Sequence, residues 1–237
     1  MIWTKIAHKI KNGWKKLCFR PIRVFVFHQV SAVFDASTMW ECDWTEVTQF
    51  QRNILFLKRE YQFITLQEAT AKLQNDRFRL RKYAVLTCDD GWESILSILQ
   101  WLSEQHIPIT LFLNPTSIKG IECREKGMNK LLTEQMIFSL VHKYDNITIG
   151  SHGWNHDDCI RQTDQQFQIS VTKSEEYLST FHSYIPFFAY PCGRHTAFQD
   201  YFLCSKSMIP VYCDGAINYR WEKCVHRECI DGIKLDN

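Results

Sequence analysis

Two kinds of apolar pattern alternate along this chain. Short continuous runs rich in β-branched and aromatic residues are separated by longer stretches whose apolar positions recur every three or four residues. The first kind fits buried strands and the second amphipathic helices. The run IRVFVFHQV, introduced by Pro21, reads as a first buried strand ending at His28. A helix is predicted over 45–58 (Val47, Phe50, Ile54, Leu57), and another over 65–73, where Thr65 and Glu68 have capping-box spacing. A strand over 84–88 is followed by a helix over 93–105 (Ile95, Ile98, Leu99, Leu102). A strand over 109–113 follows Pro108, then a helix over 131–142. The strand at Ile147 runs out into SHGWNH, followed by a helix over 164–181. FFAYPCG and MIPVYCDG supply two further strands, each leading into a turn. Alternation of this kind, without linker or low-complexity tract, predicts an α/β fold around a mainly parallel sheet, either a barrel or an open form. Both forms place their sites at the carboxyl ends of the strands, and the polar clusters of this chain fall there repeatedly.

The first twenty residues stand apart. Ile2, Ile6, Ile10 and Trp14 have helical spacing, and Lys5, Lys9, Lys11, Lys15 and Lys16 cover much of the remaining surface. Basic amphipathic helices with aromatic residues can lie on anionic membranes, so residues 1–20 are a candidate for peripheral membrane contact; packing on the domain is the plainer alternative. The division is therefore residues 1–20, a basic amphipathic segment, and residues 21–237, one domain.

Composition narrows the function without naming it. The 237 residues are 45% hydrophobic and 23% charged, enough for a sizeable core. With 28 Lys and Arg against 26 Asp and Glu, the net charge of +2 gives no reason to expect a nucleic-acid partner. None of the ten cysteines forms a C-x-x-C pair, and no secretory leader or apolar run of membrane-spanning length is visible. The expectation is a reducing cytoplasm, at the inner membrane face if residues 1–20 make contact.

Candidate chemistry lies at two strand ends. Asp89 and Asp90 follow the apolar run 84–88. Adjacent carboxylates there are costly unless paired, hydrogen-bonded or bound to a cation, although a helix N-terminus could also use them. His152 and His156 lie four apart beyond the strand at Ile147, where both imidazoles could face one ion. With Asp90 they make two nitrogens and one oxygen, the donor set of a catalytic metal site with open positions; Zn²⁺, Co²⁺, Ni²⁺ or Fe²⁺ suit it. Asp89 is left as a base toward water.

The ordered set TCDDG, SHGWNH and FAYPCG resembles the first three motifs of the polysaccharide deacetylase (NodB-homology, carbohydrate esterase family 4) family. FHQVS with the following MWECDWTEVTQFQRNILFL resembles its permuted, poly-N-acetylglucosamine deacetylase-like branch. The likeness runs from about Pro21 to the C-terminus. It implies a distorted (β/α) barrel of the NodB-homology type over 21–237. It also implies one divalent metal, zinc foremost, on Asp90, His152 and His156, with Asp89 as general base. The metal and a backbone N–H near Cys192 would stabilise the oxyanion. Apart from the resemblance, Trp40, Trp44, Trp92, Trp154 and Tyr190 lie in or near the predicted strand-end loops, where exposed rings could stack on sugar faces; Trp154, between the two histidines, is the foremost candidate, with ordinary packing the plainer alternative for any single one. The implied reaction removes N-acetyl groups from the amino sugars of a polysaccharide or its precursor. His28, in Phe27-His28-Gln29-Val30, matches the branch's general acid; His226 and His195 are its rivals. Ala189 stands where many members carry an arginine that orients the base, and Arg227 or Arg194 could replace that charge. An amidohydrolase acting on a small amide or cyclic imide, and a non-catalytic carbohydrate-binding relative, are the competing expectations.

Overall fold

The protein is described here from a computed structural model covering residues 20–36, 41–76, 78–120 and 131–235. Apart from Arg20, the basic amino-terminal segment lies outside the described residues.

The predicted alternation is present, with helix ends displaced by a few residues. The elements run β1 (Ile22–Phe27), β2 (Gln29–Ser31), β3 (Trp44–Glu46), α1 (Val47–Glu60), β4 (Gln62–Phe63), α2 (Leu66–Asn75), β5 (Tyr83–Asp89) and α3 (Leu96–Glu104). They continue as β6 (Ile109–Leu113), α4 (Pro115–Ile118), α5 (Glu134–Lys143), β7 (Ile147–Ser151), α6 (Asp164–Leu178) and β8 (Tyr184–Ala189). The last are α7 (Ala197–Ser205), β9 (Ile209–Tyr212), β10 (Val225–His226) and β11 (Glu228–Cys229). The helix predicted over 93–105 opens as a 3₁₀ turn over Glu93–Ile95 before α3. At α2 the predicted capping box forms: Glu68 N–H donates to Thr65 Oγ1 at 3.1 Å, and Thr65 N–H to Glu68 Oε2 at 2.8 Å. Among the described residues no helix is long and apolar enough to cross a membrane.

Eight strands lie in the order β10-β9-β8-β7-β6-β5-β1-β11, every neighbouring pair parallel, and β4 adds to β5. The two outermost strands belong to one stretch of chain. Val225 and His226 pair with β9, Glu228 and Cys229 pair with β1, and Arg227 sits at the switch between them. Arg227 N–H donates to Tyr212 O at 3.0 Å, and Ile230 N–H to Val26 O at 2.9 Å. This segment ties the sheet's two edges together into a nearly closed barrel.

Period-two alternation decides what each strand residue does. Val24, Val85, Phe112, Phe187, Ala189, Val211 and Val225 gather in one buried cluster with Leu66, Ala69 and Leu73 of α2. Phe25, Leu86, Leu111 and Ile149, from the opposite face of the same strands, pack against Phe50 and Ile54 of α1, Ile98 and Leu102 of α3, and Ile137 of α5. Each such aliphatic or aromatic side chain contributes about 1.5–3 kcal/mol on burial. Gly150 in β7 is required by close approach: a Cβ there would lie 2.4 Å from the Phe112 ring.

Candidate active site

Asp89 ends β5, and the chain turns sharply just after it. Asp90 and Gly91 both take left-handed backbone (φ 75° and 76°), a conformation Asp tolerates better than most side chains. A Cβ on Gly91 would come within 2.8 Å of Leu113. The turn puts the two carboxylates in different surroundings. Asp89 lies within the barrel, where Arg227 grips it with both fork nitrogens: Nη1 to Oδ1 at 2.6 Å and Nη2 to Oδ2 at 2.8 Å. Nη1 also donates to Thr87 Oγ1 at 3.2 Å, and the guanidinium lies over the Phe112 ring, 4.9 Å being the corresponding spacing of Arg23 over Phe25 and 5.2 Å that of Arg227. Burial pushes the Asp89 carboxyl up, but the charges of Arg227, His152 and His28 and the Arg227 hydrogen bonds outweigh it, leaving the pKa below the ordinary 3.8. Asp89 is therefore a carboxylate at neutral pH.

Asp90 points elsewhere. Trp92 Nε1–H donates to its Oδ2 at 3.0 Å. Its Oδ1 lies 3.4 Å from His152 Nε2 and 3.3 Å from His156 Nε2. His152 follows β7, and its Nδ1 is 2.8 Å from the Ala189 carbonyl. A carbonyl only accepts, so Nδ1 carries the proton and Nε2 presents its lone pair. The loop that carries both histidines is held from two sides. Thr116 donates its backbone N–H to Trp154 O at 3.1 Å and its hydroxyl to the same oxygen at 3.0 Å, and Trp154 N–H donates to Ser170 Oγ of α6 at 3.0 Å. Asn114 Nδ2 donates to the His152 carbonyl. His156 is also left-handed (φ 58°).

These three side chains fit a divalent ion. Their donor atoms lie within 4.8 Å of one another. Two ligands at about 2.1 Å from a tetrahedral ion stand about 3.4 Å apart, the spacing seen here from Asp90 to each histidine. The fixed tautomer of His152 supplies the second condition.

His28 enters from the end of β1. Its Nδ1 is 2.6 Å from Asp231 Oδ2, and its backbone N–H donates to Asp231 Oδ1 at 3.0 Å. Burial pulls the imidazolium down, but Asp231, with Asp89 and Asp90 beyond it, raises the His28 pKa to about 9. The Asp231 carboxyl is itself pushed up by burial, against the pull of His28. At neutral pH the pair is an imidazolium with its carboxylate.

A cavity of about 360 Å³ joins these groups; His28, Asp89, Asp90, His152, His156 and Cys192 all line it, as does Arg227. Tyr190 is also on its wall, but the residue is 1% exposed and its hydroxyl donates to Asp200 at 2.9 Å. Cys192, the middle residue of the Pro191–Gly193 turn, has φ 59° and lines the cavity.

Other candidates lie apart. Trp154 turns from this cavity into a neighbouring one of about 500 Å³, shared through His156, where Lys173 stands over its ring. His226 is outside the lining and holds Asp214 at 2.7 Å. His195 stacks on Tyr212 and bonds Asp200 at 3.0 Å. Arg194 pairs with Asp158, so Arg227 alone of the two candidate arginines reaches Asp89. Two partners escaped the sequence analysis. Asp231 lies among short strands with no periodic signal. Trp92 stands two residues beyond Asp90, and that proximity was the available clue to its bond with Asp90.

A family model for polysaccharide deacetylases matches residues 78–201, the stretch from just before β5 through the start of α7. No curated protein sequence matches. Solved structures share the fold, among them the following three. IcaB from Ammonifex degensii has a TM-score of 0.74 at 18% identity, over 90% of this chain and 93% of that one. The Streptococcus pyogenes deacetylase PplD, in complex with acetate, has a TM-score of 0.73 at 17% identity, over 89% and 92%. The de-N-acetylase from Aggregatibacter actinomycetemcomitans has a TM-score of 0.69 at 15% identity, over 89% and 95%. With the sequence model spanning more than half of the chain and the barrel closing as it does, this protein belongs to the polysaccharide deacetylase family.

Proposed function

We propose that this protein hydrolyses the N-acetyl groups of amino sugars in a polysaccharide or its precursor, using a divalent metal, an aspartate base and a histidine acid. One observation carries the reading. A carboxylate kept ionised by Arg227 and an imidazolium kept charged by Asp231 line the same cavity as a three-donor cation site. A carbohydrate-binding domain needs no such opposed acid and base.

Asp90, His152 and His156 would hold the ion. When bound it supplies Lewis acidity, polarising the acetamide carbonyl and making water more acidic. Asp89 takes the proton from the attacking water. Its Oδ2 lies 4.0 Å from His152 Nε2, close enough to serve a water beside the cation site. A backbone N–H of the Cys192 turn, on the cavity wall, would stabilise the developing oxyanion. His28 gives its proton to the leaving amine, so amide and water become acetate and a free amino sugar. Trp154, in the adjoining cavity, is placed to meet a neighbouring sugar of an extended substrate rather than the acetamide itself.

The test is acetate release from zinc-loaded protein offered N-acetylglucosamine oligomers, beside a cyclic imide as competing substrate. Acetate from the oligomers supports the reading. Turnover of the imide alone would transfer the same machinery to a small-molecule amidohydrolase.

A further inference from the structure

The two residues that hold the proton of the general acid have a third neighbour. Cys229 Sγ lies 3.2 Å from Asp231 Oδ2, the same oxygen that is 2.6 Å from His28 Nδ1. All three donor atoms fall within 4.8 Å of one another. The register explains the meeting. Cys229 of β11 pairs with Val26 of β1, so two residues on, Asp231 arrives level with His28. Cys229 is exposed, whereas the Asp231 side chain is fully enclosed.

We propose that His28, Asp231 and Cys229 form a second, inhibitory site for a thiophilic divalent cation such as Zn²⁺ or Cd²⁺, distinct from the Asp90, His152 and His156 site. The cation replaces the proton shared by His28 Nδ1 and Asp231 Oδ2 and the thiol proton of Cys229. Two protons leave to water, no electrons move, and the product has one nitrogen, one carboxylate oxygen and one thiolate on the ion. Solvent reaches the exposed Cys229 side to complete the coordination shell. The Asp231 Oδ1 bond to the His28 backbone N–H survives and keeps the carboxylate in place.

The donor sets give the two sites different tastes. Asp90, His152 and His156 offer no sulfur, while the second site does, so soft cations favour it. The consequence rests on the role proposed for His28. With a cation on Nδ1 the ring cannot also take the form of an imidazolium; its remaining Nε2–H is a far weaker acid, so proton delivery to the leaving amine slows. Excess metal therefore inhibits, although the first equivalent activates.

Two measurements decide this. In the first, Cd²⁺ is titrated into the wild-type protein, His152→Ala, Cys229→Ser and the control Cys213→Ser, which removes an exposed thiol on the wall of the same cavity but outside the proposed site, with the ultraviolet thiolate-to-cadmium absorption as readout. One equivalent of the signal is expected in wild type, His152→Ala and Cys213→Ser, and none in Cys229→Ser. A signal that survives Cys229→Ser, or is missing from wild type, overturns the site. In the second, acetate release is followed as Zn²⁺ is raised beyond the activating equivalent. Cys229→Ser should keep the basal rate and raise the inhibitory zinc concentration at least about tenfold; equal inhibition in both proteins overturns the proposal. A protein that binds Cd²⁺ through Cys229 yet releases no acetate would keep the site and refute the proposed function instead.

Discussion

Arg227 binds both oxygens of Asp89 from the residue at which the barrel's closing segment changes partners. The buried pair therefore joins closure of the sheet to orientation of the base. Removing the guanidinium would strand a buried carboxylate, which costs about 3–5 kcal/mol. For a domain of this size that corresponds to a fall in Tm of roughly 6–20 °C. Arg227→Met should melt lower by that amount and lose turnover. Arg227→Lys should recover part of the Tm but little of the rate, because an ammonium cannot reproduce the two-point grip. Calorimetry with steady-state kinetics on the two variants checks this.

The pair of His28 and Asp231 sets a pH dependence. His28 must be protonated to act, and its pKa is raised to about 9, so the active form predominates below that value and is lost as pH rises through it. kcat should stay level through neutrality and fall on the alkaline side near pH 9. Asp231→Asn removes the partner charge; its alkaline fall should move toward the ordinary histidine value of about 6.5. The rate should also drop by about 10²-fold or more. An unchanged alkaline limb in Asp231→Asn would separate the two residues functionally.

Trp92 holds Asp90 Oδ2 and so leaves Oδ1 toward the histidines. Trp92→Phe keeps most of the buried ring and deletes that bond. Zinc affinity should fall about 10- to 100-fold with the fold intact. Competition with a chromophoric chelator gives the affinity, and circular dichroism checks the fold.

How much of this was legible beforehand depended on the length of the signal. The strands β1, β5 and β6 are mostly apolar runs, β7 opens on Ile147 and Ile149, and α1 and α2 carry clear helical spacing, so the barrel's skeleton could be read directly. Asp89, Asp90, His152 and His156 stood out because each follows such a run. The closing segment could not be read in the same way. β10 and β11 are two residues each, and their pairing is set by partners some 200 positions away in β1 and nearer in β9. Asp231 was hidden for the same reason. Arg227 and Arg194 were indistinguishable in sequence, and only tertiary placement gives Arg194 to Asp158 and Arg227 to Asp89. Trp154 looked suited to the reaction cavity because it lies between the two histidines. The left-handed turn at Gly153 and the bond from the Trp154 N–H to Ser170 Oγ direct the indole to the neighbouring cavity.

The most direct test of the central claim compares Asp89→Asn with the wild-type protein, measuring bound zinc and acetate release from N-acetylglucosamine oligomers on the same samples. The expected result is about one zinc ion in each protein, with acetate from the wild type only. Acetate release persisting in Asp89→Asn would contradict the assignment of Asp89 as the base and the account built on it.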